Sequence, residues 1–254
     1  MIALMYHSIS TNPTLGRFAV APEAFCAQMA WLAKHGFRGK SVPEAFAPEA
    51  AQDPHTILLT FDDGYRDNYE SAFEVLCRHG FTATIFVPSA YVAGHNEWEA
   101  QGEPVPLLDW SQITQMAQAG IDFGSHTATH LDSRQATLEV LREEVVGSKQ
   151  ALETHLGQPV VSFAYPYGYQ HPELPGLLCD AGYHYAFLAA TYGINTPQTD
   201  PYALHRLPIW GTDSLRRFAA KVRGWYRWRQ YTLKLGTEAR WLTRRLLGSA
   251  GHGA

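Results

Sequence analysis

Four times along the chain a helix-forming stretch runs into a glycine that is followed at once by a bulky apolar residue: Gly36-Phe37, Gly80-Phe81, Gly120-Ile121 and Gly182-Tyr183. Glycine just past the last turn supplies the left-handed backbone that stops a helix, and the apolar residue after it packs inward or opens a strand. The stretches upstream, residues 22–35, 68–79, 110–119 and 172–181, read as helices, with Asp67 and Asp109 placed as N-caps of the middle two. A longer amphipathic helix covers 138–156 and closes at Gly157. Short β-branched and aromatic runs lie between them, at 2–6, 57–61, 82–87, 121–124, 160–165, 185–188 and 206–210. Strands alternating with helices imply a parallel sheet with helices outside it. About seven such units predict an α/β fold of the distorted (β/α)7-barrel type. An open doubly wound sheet is the alternative, and no GxGxxG supports a dinucleotide site within it.

A chain of 254 residues, 46% of them hydrophobic, has the material for one large core. The barrel is expected over residues 1–212, and a basic amphipathic helical extension over 213–254. Cys26, Cys77 and Cys179 are odd in number and far apart, which argues against a disulfide framework or a cysteine-rich zinc site. The first residues, Met-Ile-Ala-Leu-Met-Tyr-His, read as a strand and carry no basic leader or cleavage site, so the expected location is the cytoplasm. No apolar run reaches the ~18 residues of a membrane span.

Charge is spread unevenly. Residues 215–247 hold ten Lys/Arg against Glu238 alone, leaving ten basic and 23 acidic residues elsewhere. The body is thus about −13 and the tail about +9, an asymmetry that marks an interaction surface. Arginines in the tail interleave with Trp225, Trp228, Leu233, Leu235, Trp241 and Leu242. That pattern suits a helix lying on an anionic membrane, peripheral to its inner face, and equally a helix packed on protein. Nucleic acid is not an expected partner.

The polar groups fall at the C-terminal ends of the strands. His7 follows the first, Asp62-Asp63 the second, His126 the run at 121–124, and Pro166-Tyr167-Gly168 the run at 160–165. In parallel α/β barrels that rim is where active sites assemble. Two adjacent carboxylates repel unless a cation lies near, so one of the pair can ligate a metal while the other stays free as a base. An ordinary Asp-Asp-Gly turn is the plainer reading of the same residues. His126 and His130 have the i, i+4 spacing that brings two imidazoles within reach of one ion. With Asp63 they make a two-histidine, one-carboxylate set that leaves a coordination position for water, as catalytic zinc sites do. Asp62 is then placed to take a proton from that water.

These residues resemble the polysaccharide deacetylases, the NodB-homology group or family 4 carbohydrate esterases. Thr60-Phe61-Asp62-Asp63-Gly64-Tyr65 is similar to the family's first motif, Ser125-His126-Thr127-Ala128-Thr129-His130 to its second, and Phe163-Ala164-Tyr165-Pro166-Tyr167-Gly168 to its third. The resemblance covers residues 1–212 and implies a distorted barrel of β/α units. It implies Asp62 as the base, and Asp63, His126 and His130 as ligands of Zn2+ or a similar divalent ion. It also implies the backbone N–H of Tyr167 as donor to the developing oxyanion. Thr127 is expected to hydrogen-bond within the second motif or to be a simple turn hydroxyl.

The implied activity is removal of N-acetyl groups from an amino-sugar glycan or a lipid-linked sugar, with acetate released. O-deacetylation of sugar esters and a sugar-binding homologue that has lost catalysis are the alternatives. Many members open the third motif with an arginine that orients the base, where this chain has Phe163. Met5-Tyr6-His7 resembles a subgroup similar to exopolysaccharide-biosynthesis deacetylases that shows a like replacement. His7 is expected as a rim residue toward substrate or as a core histidine. The family's last motif contributes a histidine that protonates the leaving amine, and the nearest match is His205 in Leu204-His205-Arg206-Leu207-Pro208. Trp98 and Asn96, in the loop 95–106, are candidates to stack on and bond a sugar ring, with simple packing as the other reading for Trp98.

Overall fold

The computed structural model describes residues 1–51, 53–98 and 102–224. Among these residues eight parallel strands form one sheet: β1 (Ile2–Tyr6), β2 (Arg38–Lys40), β3 (Thr56–Phe61), β4 (Thr84–Val87), β5 (Asp122–Ser125), β6 (Ser162–Ala164), β7 (Tyr185–Phe187) and β8 (Leu207–Pro208). The order is β7-β6-β5-β4-β3-β1-β8. β2 shares one edge of β3 with β4, pairing with residues 56–58 while β4 pairs with Thr60 and Phe61. The sheet curls, and a parallel bridge between Phe187 and Leu204 brings the chain that enters β8 alongside β7. This is the expected distorted barrel.

The helices are α1 (Pro22–Lys34), α2 (Val42–Ala45), α3 (Pro48–Ala51), α4 (Glu74–Arg78), α5 (Trp110–Gln118), α6 (Leu138–Leu156), α7 (Leu174–Asp180) and α8 (Leu215–Val222). The four helix-ending glycines share one geometry. Each has positive φ, between +63° and +93°. The N–H of the apolar residue after it returns to the carbonyl five residues back, as from Phe81 to Leu76 and from Tyr183 to Leu178. Asp109 caps α5 in a reciprocal box with Gln112.

Asp67 departs from expectation. Its side chain caps no helix; it accepts from the N–H of Ile9 and the hydroxyl of Ser8, tying the end of β1 to the segment after β3. Residues 68–73 form wide π-type turns ahead of α4 instead of one regular helix. β2, α2 and α3 fall where no element is expected.

Strand side chains alternate between faces, so every second residue points into the barrel. Ala3, Leu58, Phe86, Ala164 and Phe187 meet there with Leu204. Val42 and Ala45 of α2 join the same cluster, and Phe46 stacks on Tyr185 at 4.1 Å, so α2 plugs the lower end of the barrel. Gly124 is on this face because any Cβ there would lie 2.5 Å from the Phe86 ring. One step further along the same inward rows come His7, Asp62 and His126.

The expected basic extension lies almost wholly outside the described residues, which end at residue 224. The chain divides into two units, Met1–Leu215 and Arg216–Ala254. Of the second, only the helical turns within α8 and the two residues after it are described. No described helix is long and apolar enough to cross a membrane.

Candidate active site

Asp62 continues the inward row Leu58, Thr60 beyond the end of β3. Its carboxylate receives both arms of Arg206, Nη1 to Oδ1 at 2.5 Å and Nη2 to Oδ2 at 2.8 Å. Arg206 is 0% exposed. Its Nε donates to Leu188 O at 2.9 Å, Nη1 also reaches Thr60 Oγ1, and its guanidinium lies over the Phe86 and Phe187 rings. The arginine thus stands on the apolar plug and holds the acid from below. Burial is the largest effect on Asp62 and raises its pKa; the charge of Arg206, the neighbouring His126 and His7, and the Arg206 hydrogen bond together outweigh it and hold the group below its usual range. A fork-to-fork pair fixes orientation as well as charge.

Phe163 therefore does not mark the loss of the orienting arginine. The cation arrives from the other end of the chain, next to the histidine singled out at 205. The sequence reading missed it, although it lies within the quoted segment 204–208.

Asp63 leaves the strand with φ +72°, which swings its carboxylate away from Asp62 and toward two imidazoles. Its Oδ1 lies 3.4 Å from His126 Nε2 and 3.3 Å from His130 Nε2. All three groups are buried, and one ligand atom from each lies within 4.8 Å of the others. His126 Nδ1 is 2.7 Å from Ala164 O. A carbonyl only accepts, so Nδ1 carries the proton and the Nε2 lone pair faces the centre. Burial would raise the pKa of Asp63, but the neighbouring imidazoles of His126 and His130 hold it well below the carboxylate range. A preformed anion with two imidazole nitrogens turned toward it fits a zinc-like divalent ion.

The loop between the histidines is clamped. Ser125 Oγ accepts from Thr127 N, and Thr127 Oγ1 accepts from Leu131 N and donates to His126 O. Glu144 reaches across from α6: its Oε2 accepts from both Ala128 N and Thr129 N at 2.8 Å, and Oε1 from the Thr129 hydroxyl at 2.7 Å. Glu144 drew no attention in the sequence because it reads as one more acid on an amphipathic helix. The clamp opposes real strain. Asp63, Thr127, His130 and Tyr167 all have φ between +55° and +72°, a region that costs a non-glycine residue about 1 kcal/mol or more.

A cavity of about 470 Å³ opens over these groups, within the ~300–1,000 Å³ of ligand pockets. Asp62, Asp63, His126, His130, His7, Asn96, Trp98 and Tyr167 all line it. Trp98 stacks on the His130 ring at 4.4 Å, and Tyr167 meets the same ring edge-on at 4.6 Å. Tyr167 remains 46% exposed, a ring turned to the mouth.

His7 projects from the end of β1 against Phe18, with Nδ1 buried and unpartnered. Burial draws its pKa down, while the nearby Asp63 and Asp62 pull it up, for a net lowering. Asn96 lines the cavity, but its Oδ1 accepts from Val105 N and so shapes the 95–106 loop from within. His205 does not line the cavity. Its backbone pairs with the Asn195 side chain, and its ring packs so closely on Gly193 that a Cβ there would lie 2.2 Å away. Precedence before β8 turns Arg206 inward and leaves its neighbour on the other side.

Residues 49–186 match the family model described as polysaccharide deacetylase. The chain is 32% identical over 209 residues to YxkH of Bacillus subtilis, whose name places it among polysaccharide deacetylases, covering 81% of this chain and 70% of that protein. It is 24% identical over 215 residues to the poly-beta-1,6-N-acetyl-D-glucosamine N-deacetylase of Staphylococcus epidermidis, covering 79% and 71%. Among solved structures, the Streptococcus pyogenes deacetylase PplD in complex with acetate superposes with TM-score 0.76 at 25% identity, over 87% of this chain and 97% of that one. IcaB from Ammonifex degensii superposes with TM-score 0.74 at 26% identity, over 87% and 96%.

Proposed function

The chain belongs to the polysaccharide deacetylase family, and on that premise we propose that it is a metal-dependent hydrolase that removes N-acetyl groups from an amino-sugar glycan or lipid-linked amino sugar and releases acetate. The observation that carries this reading is one cavity holding two kinds of carboxylate: Asp62 tied to Arg206, and Asp63 facing two imidazoles.

Asp63, His126 and His130 are the residues that would hold a divalent ion, Zn2+ first among them. When bound, the ion polarises the acetyl carbonyl and lowers the pKa of water beside it. Asp62 takes a proton from the attacking water as the new C–O bond forms, with Arg206 fixing its angle. The Tyr167 N–H donates to the oxygen that gains charge, and Trp98 and Tyr167 wall the site from bulk water. His7 hands a proton to the departing nitrogen as the C–N bond breaks, in the role first assigned to His205. An amine leaves only when protonated, whereas an alcohol needs less help, so a cavity histidine beyond the ligand set favours N- over O-deacetylation.

The decisive experiment measures acetate released from N-acetylglucosamine oligomers by the full chain with and without added Zn2+. Asp62→Asn should retain bound metal and lose turnover, and His126→Ala should lose the metal. No acetate from any acetylated sugar, with metal bound, would sink the reading. We place the activity in the cytoplasm, with residues 215–247 touching anionic membrane; sedimentation with anionic vesicles at low salt tests that placement separately.

A further inference from the structure

The cavity has a second, differently built end. Gly16, at φ +51° and ψ −122°, kinks the loop after β1 so that Arg17 and Phe18 turn toward the mouth. The Arg17 carbonyl accepts from Gly211 N at 2.8 Å, just past β8. Gly211 allows this approach because a Cβ there would sit 2.0 Å from Ala19 O. Phe18 packs edge-on against Trp210 at 5.4 Å, and the Arg17 guanidinium lies over the Trp210 ring at 4.6 Å. Arg17, Phe18 and Trp210 line the same cavity as Asp62 and Asp63.

Its electrostatic position sets this arginine apart. Outside residues 215–247 the chain has ten cations, and six of them pair with carboxylates. Arg17 has no carboxylate within ion-pair reach among the described residues, and no other Lys or Arg lines the cavity. The two acids that do line it are already matched, Asp62 by Arg206 and Asp63 by the histidines and the ion they would hold. A guanidinium with its face on an indole keeps its N–H edges for a ligand, and the planar fork suits an oxyanion.

We propose that Arg17, pinned on Trp210 at the mouth, is an anion subsite of the substrate cleft that takes a phosphate carried by the acetylated sugar. The proposal rests on the deacetylase reading and names its substrate class: an N-acetyl amino sugar in phosphodiester linkage, ahead of a neutral homopolymer.

The test compares the methyl phosphodiester of N-acetylglucosamine at C1 with its neutral methyl glycoside, using the full chain loaded with Zn2+. The KM for the phosphodiester should be about tenfold the lower of the two, the worth of one charge-assisted contact. In Arg17→Gln that ratio should fall toward one, and Arg17→Lys should keep part of it. A binding arm runs without turnover: calorimetry of N-acetylglucosamine 1-phosphate against N-acetylglucosamine on the Asp62→Asn variant, with and without Arg17→Gln. An unchanged ratio in Arg17→Gln, or equal loss on both ligands, overturns the proposal. Preference for a uronate-bearing sugar over the phosphodiester overturns the phosphate assignment. If the binding preference appears but acetate is never released, the subsite stands and the deacetylase reading fails.

Discussion

Arg206 and Asp62 stand 144 residues apart in the chain and meet as a buried two-pronged ion pair on the floor of the cavity. Replacing Arg206 by Met leaves a buried carboxylate without its cation, which costs about 3–5 kcal/mol of stability. The variant should melt lower and lose turnover by at least about 100-fold, yet still bind one metal ion per chain. Arg206→Lys offers a charge without the fork and should fall between. Wild-type turnover in Arg206→Met would detach the arginine from the base.

Glu144 should behave as a metal-affinity residue although it touches no ligand atom. Its three hydrogen bonds hold the turn between His126 and His130. Loss of such supporting contacts typically weakens metal binding ~10–100-fold. Competition with a chromophoric chelator should show that loss in Glu144→Ala and a smaller one in Glu144→Gln. Equal affinity in all three proteins would confine the clamp to folding.

The two candidate proton donors separate cleanly. His7→Gln should cut kcat ~100-fold or more at constant metal content, because His7 lines the cavity. His205→Gln should leave kcat within a few-fold of wild type, because its ring packs on Gly193. The reverse outcome would return the leaving-group role to the later histidine.

Asp122, at the lower end of the barrel, carries a stability signature. Burial pushes its pKa up to about 7, with Glu44 adding to the effect, against hydrogen bonds from the Thr84 hydroxyl and the Phe123 N–H. An acid whose folded pKa exceeds its unfolded value near ~3.9 favours the fold only while protonated. Its penalty is absent below about pH 4, grows between about 4 and 7, and is complete above that. Asp122→Asn should therefore stabilise by about 1–2 kcal/mol at pH 8 and by nothing at pH 4, since the amide nitrogen and partial solvent contact offset part of the gain. Urea unfolding at the two pH values measures it, and a pH-independent difference would refute it.

Tyr167 should tolerate loss of its hydroxyl. The proposed oxyanion donor is its backbone N–H, so Tyr167→Phe should keep turnover within about threefold, read from initial rates of acetate release.

Much of this architecture was legible because it is local. The helix-ending glycines needed only φ > 0, β1 and α6 carried unbroken patterns, and Asp109 had Gln112 three residues on. The grouping of Asp63, His126 and His130 was visible because the spacing of motifs fell at strand ends. What the sequence concealed is tertiary. Asp67 looks like an N-cap until the loop after β1 competes for its carboxylate. Arg206 is a single residue whose role depends on which way a two-residue strand faces. Its neighbour His205 failed for the same reason, since adjacent strand residues point opposite ways. Asn96 does line the cavity, and the sequence hid only that the backbone of its own loop already uses its oxygen.

The long-range tie between the floor arginine and the base also orders events in time. Asp63, His126 and His130 and the groups that orient them are complete by Ala164, while Asp62 waits for residue 206. A chain that ends before β8 would lack the cation that orients Asp62. Under the proposed reaction, docking of the barrel's last strand is the step that completes the base.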